Sequence, residues 1–192
     1  MQYKYYASPN YKIIIMKGEK QMQTETQVSS YESVEINENK EVNELYLSFY
    51  SNNQLFGVPI TDVIQIVGME EITPIPDSPR FVMGVINIRG CIIPIIDVRI
   101  RFGHEALSNS NRACIVITHV SDMFIGFSVD SVDAIIKVTE EEITPPPKVI
   151  GDLTNYYLTG IYNSQDKVIM LINTKRLLTE QEFEFLTNLD ER

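Results

Sequence analysis

The sequence has few of the side chains from which metal and nucleophilic sites are usually built: two histidines and two cysteines in 192 residues. His104, His119, Cys91 and Cys114 form no C-x-x-C or H-x-x-x-H pair, so no metal and no cofactor is expected. Each cysteine stands in an apolar run, the setting of a small buried side chain in a reducing compartment, and nothing calls for a disulfide between them. Basic residues are also scarce, 16 against 26 acidic ones, for a formal net charge of -10. That balance speaks against nucleic acid as a partner, because such affinity comes largely from Lys and Arg contacts to phosphate. No apolar run approaches the roughly 20 residues of a membrane helix. The N-terminus lacks the apolar core and small-residue cleavage site of a signal peptide, so the expectation is a cytoplasmic protein without direct membrane insertion.

Catalytic motifs are missing as well. Neither G-x-S-x-G nor G-x-x-x-x-G-K-[ST] occurs, and GFSVD at 126–130 lacks the second glycine of the former. Glu70-Glu71 and Glu140 to Glu142 stand before proline-marked loops and read as solvated faces rather than acid/base pairs. No catalytic residue is assigned, and the chain is expected not to be an enzyme.

What is present is β-rich. Residues 1–43 mix tyrosines with polar and then acidic residues without sustained periodicity, and read as a flexible tail with a few ordered residues at YKIIIM. From Leu45 short apolar runs alternate with turn residues. LYLSFY and LFGVPI form a hairpin about SNNQ, DVIQIV follows, and MEEITPIPDSP is a rigid extended loop because Pro74, Pro76 and Pro79 exclude helix. FVMGVINI and CIIPIIDV pair about a tight turn at Arg89-Gly90, where glycine can supply a positive φ. ACIVITHV, MFIGFSVDSVDAIIKV, a second proline loop at EEEITPPP, and the pair YYLTGIYN and KVIMLIN complete the strands. Thr179 and Glu182 have the spacing of a capping box, so the end of the chain is expected to be a helix over 179–189 with Phe183, Phe185 and Leu186 on its apolar face.

The order of these blocks repeats. Gly84 and Asp97 are 13 positions apart, as are Gly160 and Asn173, and an ITP loop precedes each pair. Two copies of one small β unit, sharing a core across their boundary, are the simplest account. The equivalent turns differ: Asn87-Ile88-Arg89-Gly90 in the first copy, Asn163-Ser164-Gln165-Asp166 in the second. A turn requires no arginine, so Arg89 either pairs with Asp97 or Asp62, stands in solvent, or meets a partner. DVIQIV and SVDAIIKV occupy equivalent places and carry apolar residues on both faces. Val63, Ile66, Val132 and Ile135 therefore either line one groove or belong to the core.

The series LYLSFY, FGVPITDVIQIV, ITPIP, NIRGCIIPIIDVR, GFSVDSV, ITPPP, YLTGI and LINTKRLL resembles the CheW family of bacterial chemosensory adaptors over roughly Leu45 to Leu189. The resemblance implies a mainly β (all-β) fold of two five-stranded OB-like or SH3-like barrels with strands exchanged between them. It divides the chain into a tail at 1–43 and a CheW-like domain at 44–192, with barrels at roughly 44–110 and 111–178. The implied partners are the cytoplasmic tip of a chemoreceptor and the regulatory domain of the histidine kinase CheA. The receptor side would hold Arg89, Asn87, Val63, Ile66, Val132 and Ile135, and the kinase side Thr144, Pro147 and Val149. A CheW-like adaptor of a type IV pilus or other non-flagellar pathway is the alternative, and an OB-like nucleic-acid binder a remoter one. The long tail departs from the family pattern, as does Gln65, where some relatives would carry an acidic residue.

Overall fold

The computed structural model describes residues 3–7, 13–17, 43–106, 111–147, 156–164 and 167–190. In chain order the elements are β1 (Tyr3–Ala7), β2 (Ile13–Lys17), β3 (Asn43–Ser51), β4 (Gln54–Pro59), β5 (Val63–Gly68), β6 (Val82–Ile88), β7 (Cys91–Asp97) and a single helical turn, α1 (Val98–Arg101). The second half adds β8 (Cys114–Val120), β9 (Met123–Val129), β10 (Ser131–Thr139), β11 (Ile143–Thr144), β12 (Leu158–Ser164), β13 (Lys167–Ile172) and α2 (Glu180–Asp190). The strands make two sheets, in the orders β2-β1-β5-β8-β9-β7-β6 and β10-β3-β4-β13-β12-β11. The fold is mainly β with a short C-terminal helix, as the sequence leads one to expect.

The strand orders show the repeat in space. The β3–β4 hairpin, which opens the first copy, lies between β10 and β13 of the second. The β8–β9 hairpin, which opens the second copy, lies between β5 and β7 of the first. Each exchange creates one parallel contact, Ile95 to Asp97 beside Gly126 to Ser128 and Ile169 to Leu171 beside Leu55 to Gly57. The boundary near residue 110 thus separates the copies of the repeat, while each sheet draws strands from both sides of it.

Each sheet then curls back on itself. Thr73, beyond β5, exchanges two 2.9 Å backbone hydrogen bonds with Val85 of β6, at the opposite edge of that sheet. In the second copy Thr144 of β11 pairs with Ile161 of β12 in the equivalent position. Both closures need a glycine. A side chain on Gly84 would run into the carbonyl of Thr73, and one on Gly160 into the side chain of Ile143. Gly84 also has a φ of 142°, open to glycine and strained for other residues. A bulge stands beside each, between Val82 and Gly84 and between Leu158 and Gly160, where the strand must bend.

The apolar runs are long because these strands are covered on both faces. In β8, Ile115 and Ile117 point into one barrel with Ile86, Ile93 and Ile95, while Val116 and Val120 point the other way. The second barrel is filled by Tyr46, Leu55, Val138, Ile169 and Leu171. Between the barrels a larger core collects Leu47, Phe49, Phe56, Ile96, Ile125, Phe127, Ile172 and Leu186 from both copies. Full burial of one such side chain is worth roughly 1.5 to 3 kcal/mol, so this shared layer dominates the stability.

The C-terminal helix seals this layer. Thr179 and Glu182 form the expected capping box, the Thr179 N–H donating to the Glu182 carboxylate at 2.7 Å and the Glu182 N–H to the Thr179 hydroxyl at 3.3 Å. The other carboxylate oxygen of Glu182 takes Arg101 of α1 at 3.2 Å.

One expectation changes. The cysteines do not share one setting: Cys91 is exposed at the start of β7, next to the turn, and only Cys114 is largely enclosed, its thiol pushed up to about 11 by burial. The apolar run around Cys91 covers a strand whose first two residues lie on the surface. In the segment read as a tail with a few ordered residues at YKIIIM, residues 3–7 and 13–17 are β1 and β2, and the rest of 1–42 lies outside the described residues.

Two measurements check this fold. Gly84→Ala should lower the urea midpoint by the equivalent of about 3 kcal/mol, because backbone blocks the new methyl. Gly160→Ala should cost about half as much, since the end of Ile143 can turn aside. A disulfide reagent at neutral pH should react with one thiol quickly in the folded chain and with the second only on unfolding. Cys91→Ser should remove the fast phase; loss of the slow phase instead would reverse the assignment.

Candidate functional site

The β6–β7 hairpin closes through two residues, Arg89 at φ 53° and Gly90 at φ 90°. Two positive φ angles are what a tight turn with the right twist for a hairpin demands, and Asn-Gly or Asp-Gly meets that demand with least strain. Asn87 holds the turn by accepting the Gly90 N–H on its side-chain oxygen at 2.9 Å. Arg89 in the left-handed region costs about 1 to 2 kcal/mol that glycine would avoid. The turn geometry therefore selects against the residue that occupies it.

No contact among the described residues repays that cost. Arg89 is exposed and has no ion-pair or hydrogen-bond partner among the described residues. The two carboxylates that the sequence offers it are engaged elsewhere. Asp97 caps α1 by accepting the Ile100 N–H at 3.1 Å, and burial raises its pKa against that help. Asp62 accepts the Thr174 hydroxyl at 2.8 Å. The tip of the hairpin thus presents a free guanidinium beside Asn87 and Cys91, with Ile92 opposite Asn87 and 42% exposed.

The other candidate residues fall into distinct settings. Val63 and Ile66 of β5 are 5% and 4% exposed and sit in the shared core, with Val132 half-buried against the same cluster. On β5 the more accessible side chains are Ile64 and Gln65. Ile135 points outward, 43% exposed, because β10 bulges between Val132 and Ile135. That bulge is anchored at Ala134, whose N–H and carbonyl both meet the Ser48 hydroxyl, and at Asp133, paired with Lys167 at 3.0 Å. Thr144 and Pro147 are exposed near the closure of the second barrel, and Val149 lies outside the described residues.

One feature escaped the sequence reading. Asp130 stands where the chain passes from β9 in one sheet to β10 in the other. It takes Arg99 in a bidentate pair, 2.6 Å on both arms, and the Asn52 N–H at 2.8 Å. Its own N–H donates to the Tyr50 carbonyl at 2.9 Å. The pair ties α1, the crossover and the β3–β4 turn together across the barrel junction. Its side chains are only 19% and 15% exposed, so leaving either charge alone would cost on the order of 3 kcal/mol. The run MFIGFSVDSVDAIIKV gave no sign of this partner, 31 residues away.

The arrangement is one for binding. The described residues contain no group of three or more His, Cys, Asp or Glu placed to hold a metal ion. No described helix is long and apolar enough to cross a membrane.

Comparison with known proteins agrees with this architecture. Residues 45–182 match the CheW-like domain model. The chain is 30% identical over 148 residues to the chemotaxis protein CheW of Klebsiella aerogenes, covering 77% of this chain and 89% of that protein. It is 36% identical over 138 residues to a probable chemotaxis protein CheW of Rhizobium etli, covering 72% and 89%. In three dimensions it is similar to the scaffolding protein TtCheW of Thermoanaerobacter tengcongensis, with a TM-score of 0.67 at 34% identity over 73% of this chain and 96% of that one. The chain belongs to the CheW-like family of non-catalytic chemotaxis adaptors.

Proposed function

We propose that the chain couples the cytoplasmic tips of chemoreceptors to the regulatory domain of CheA, working in the cytoplasm at membrane receptor arrays. The observation that carries this reading is Arg89: a strained, exposed, unpaired guanidinium held at the tip of a rigid hairpin. A receptor tip is helical, and a helix docks by laying an apolar face along a surface with polar contacts at its rim. Ile135, Ile92 and the half-buried Val132 offer apolar surface, and Arg89 offers five donors to a carboxylate or an exposed carbonyl. Val63 and Ile66 contribute from beneath, by fixing β5 in place. The exposed Thr144 and Pro147, at the closure of the second barrel, form the kinase side, to which Val149, outside the described residues, is also assigned. Two separate surfaces are what an adaptor between two partners requires.

Arg89→Asn tests the receptor side cleanly because asparagine suits the turn better. Thermal stability should stay level or rise by about 0.5 to 1 kcal/mol. Capture by a receptor-tip fragment should weaken by about tenfold to a hundredfold, the equivalent of a lost charged hydrogen bond. Capture by the CheA regulatory domain should be unchanged. Undiminished receptor capture would remove Arg89 from the contact, and failure of the unsubstituted chain to capture either fragment would sink the adaptor reading.

A further inference from the structure

The two sheets treat one pair of equivalent strands differently. β5 and β10 occupy the same place in the repeat, β5 beside β8 and β10 beside β3, and within the matched region 45–182 each is the terminal strand of its sheet on that side. The outer edge of β10 defends itself: Asp133 and Lys137 are exposed charges, and a bulge spoils its ladder between Val132 and Ile135. Charge and irregularity are the usual devices that stop an edge from accepting another strand. β5 shares the irregularity, with a register shift between Val63 and Gln65, but its sequence VIQIVG carries no charge at all. Alone it would be an inviting edge.

In this chain the edge is taken. β1 runs antiparallel along β5, with Tyr5 opposite Ile66 and Tyr6 opposite Gln65, and β2 extends the sheet from Tyr3 opposite Lys17 to Ala7 opposite Ile13. The hairpin lies outside the region that matches the CheW-like domain, residues 45–182, so it is an addition to the adaptor fold. Its ladder to β5 is two register pairs long, against five for β8 on the other side. Residues 18–42 lie between it and β3 in the sequence. A contact this short is the construction of a removable cap.

We propose that the outer edge of β5 is a strand-docking site and that the β1–β2 hairpin is its intramolecular occupant, which competes with the partner that engages the barrel junction. The competition rests on the receptor-side reading above; the docking does not. Gln65 and Ile64, the accessible residues of β5, lie on the strand that the hairpin covers.

The test uses the full chain carrying Tyr5→Pro and Tyr6→Pro, which removes two N–H donors and fixes φ in the strand that docks. Hydrogen exchange of the amides in 63–68 should quicken by about tenfold while those of β3 and β13 stay as they are. Affinity for a receptor-tip fragment should rise several-fold. Unchanged exchange in 63–68 would overturn the docking site. Faster exchange with unchanged or weaker capture would overturn the competition and leave the cap as a purely structural addition. An unsubstituted chain that runs as a dimer on size exclusion, with the prolines returning it to a monomer, would make the occupant a second copy and overturn the intramolecular assignment. If neither form captures the tip, the competition falls with the proposed function, and the exchange result still decides the docking site.

Discussion

Each barrel lends its first hairpin to the other, and the consequences run through the whole molecule. β3 and β4 bury Leu47, Phe49, Phe56 and Val58 in a core that Val116, Ile125, Phe127 and Ile172 of the second half help to complete. Strands exchanged in this way make the shared layer the largest apolar core and make the two halves one cooperative unit. They also add ladders between residues far apart in sequence, β3 with β10 and β5 with β8 among them, which slows folding relative to a chain of local hairpins alone. The Arg99–Asp130 pair stands at the crossing point of this exchange. It holds α1, the crossover and the β3–β4 turn together there.

A scaffold so constrained can hold a strained residue. The β6–β7 turn is gripped by the Asn87 side chain and by the ladder from Ile88 and Cys91 down to Val82 and Ile96. A guanidinium mounted on this turn loses little freedom when it meets a partner, so more of its hydrogen-bond energy remains as affinity. The strain at Arg89 is small beside the burial that surrounds it. This is how a protein with a few kcal/mol to spare keeps an unfavourable residue on an exposed turn.

The fold was largely legible because its signals are local or repeated. Alternating β-branched runs, two ITP loops, the two glycine-to-cap spacings and the Thr179 capping box each depend on neighbouring residues. The equivalence of Gly84 with Gly160 could be read from spacing alone. Arg89 was legible for the same reason, as the one place where two copies of a turn disagreed. The environment of Val63, Ile66, Val132 and Ile135 was not, since all four alternate between faces that are both apolar. A bulge in each strand decides it: the one in β10 goes with Ile135 facing out, and the one in β5, between Val63 and Gln65, lets Val63 and Ile66 both face in. Asp130 was invisible because its partner comes from another element, and Cys91 was misplaced because an apolar run continues past the point where the strand is covered.

The repeat also separates what the fold needs from what the partners need. Where the copies agree, the shared feature has a structural cause: a glycine under each closing strand, a bulge beside it, and Asp97 and Asn173 each accepting a backbone N–H at the start of the next turn. Where they disagree, no structural cause is found. One turn carries a strained arginine and its counterpart has none, and one edge strand carries charges where its equivalent has none and receives a hairpin. A duplicated unit starts with two equal surfaces, and an adaptor must offer different ones to different partners. The differences between the copies are therefore the places to look for recognition, and both converge on the first barrel. The second copy retains its own divergence at the proline loop, where ITPPP replaces ITPIP next to the exposed Thr144 and Pro147.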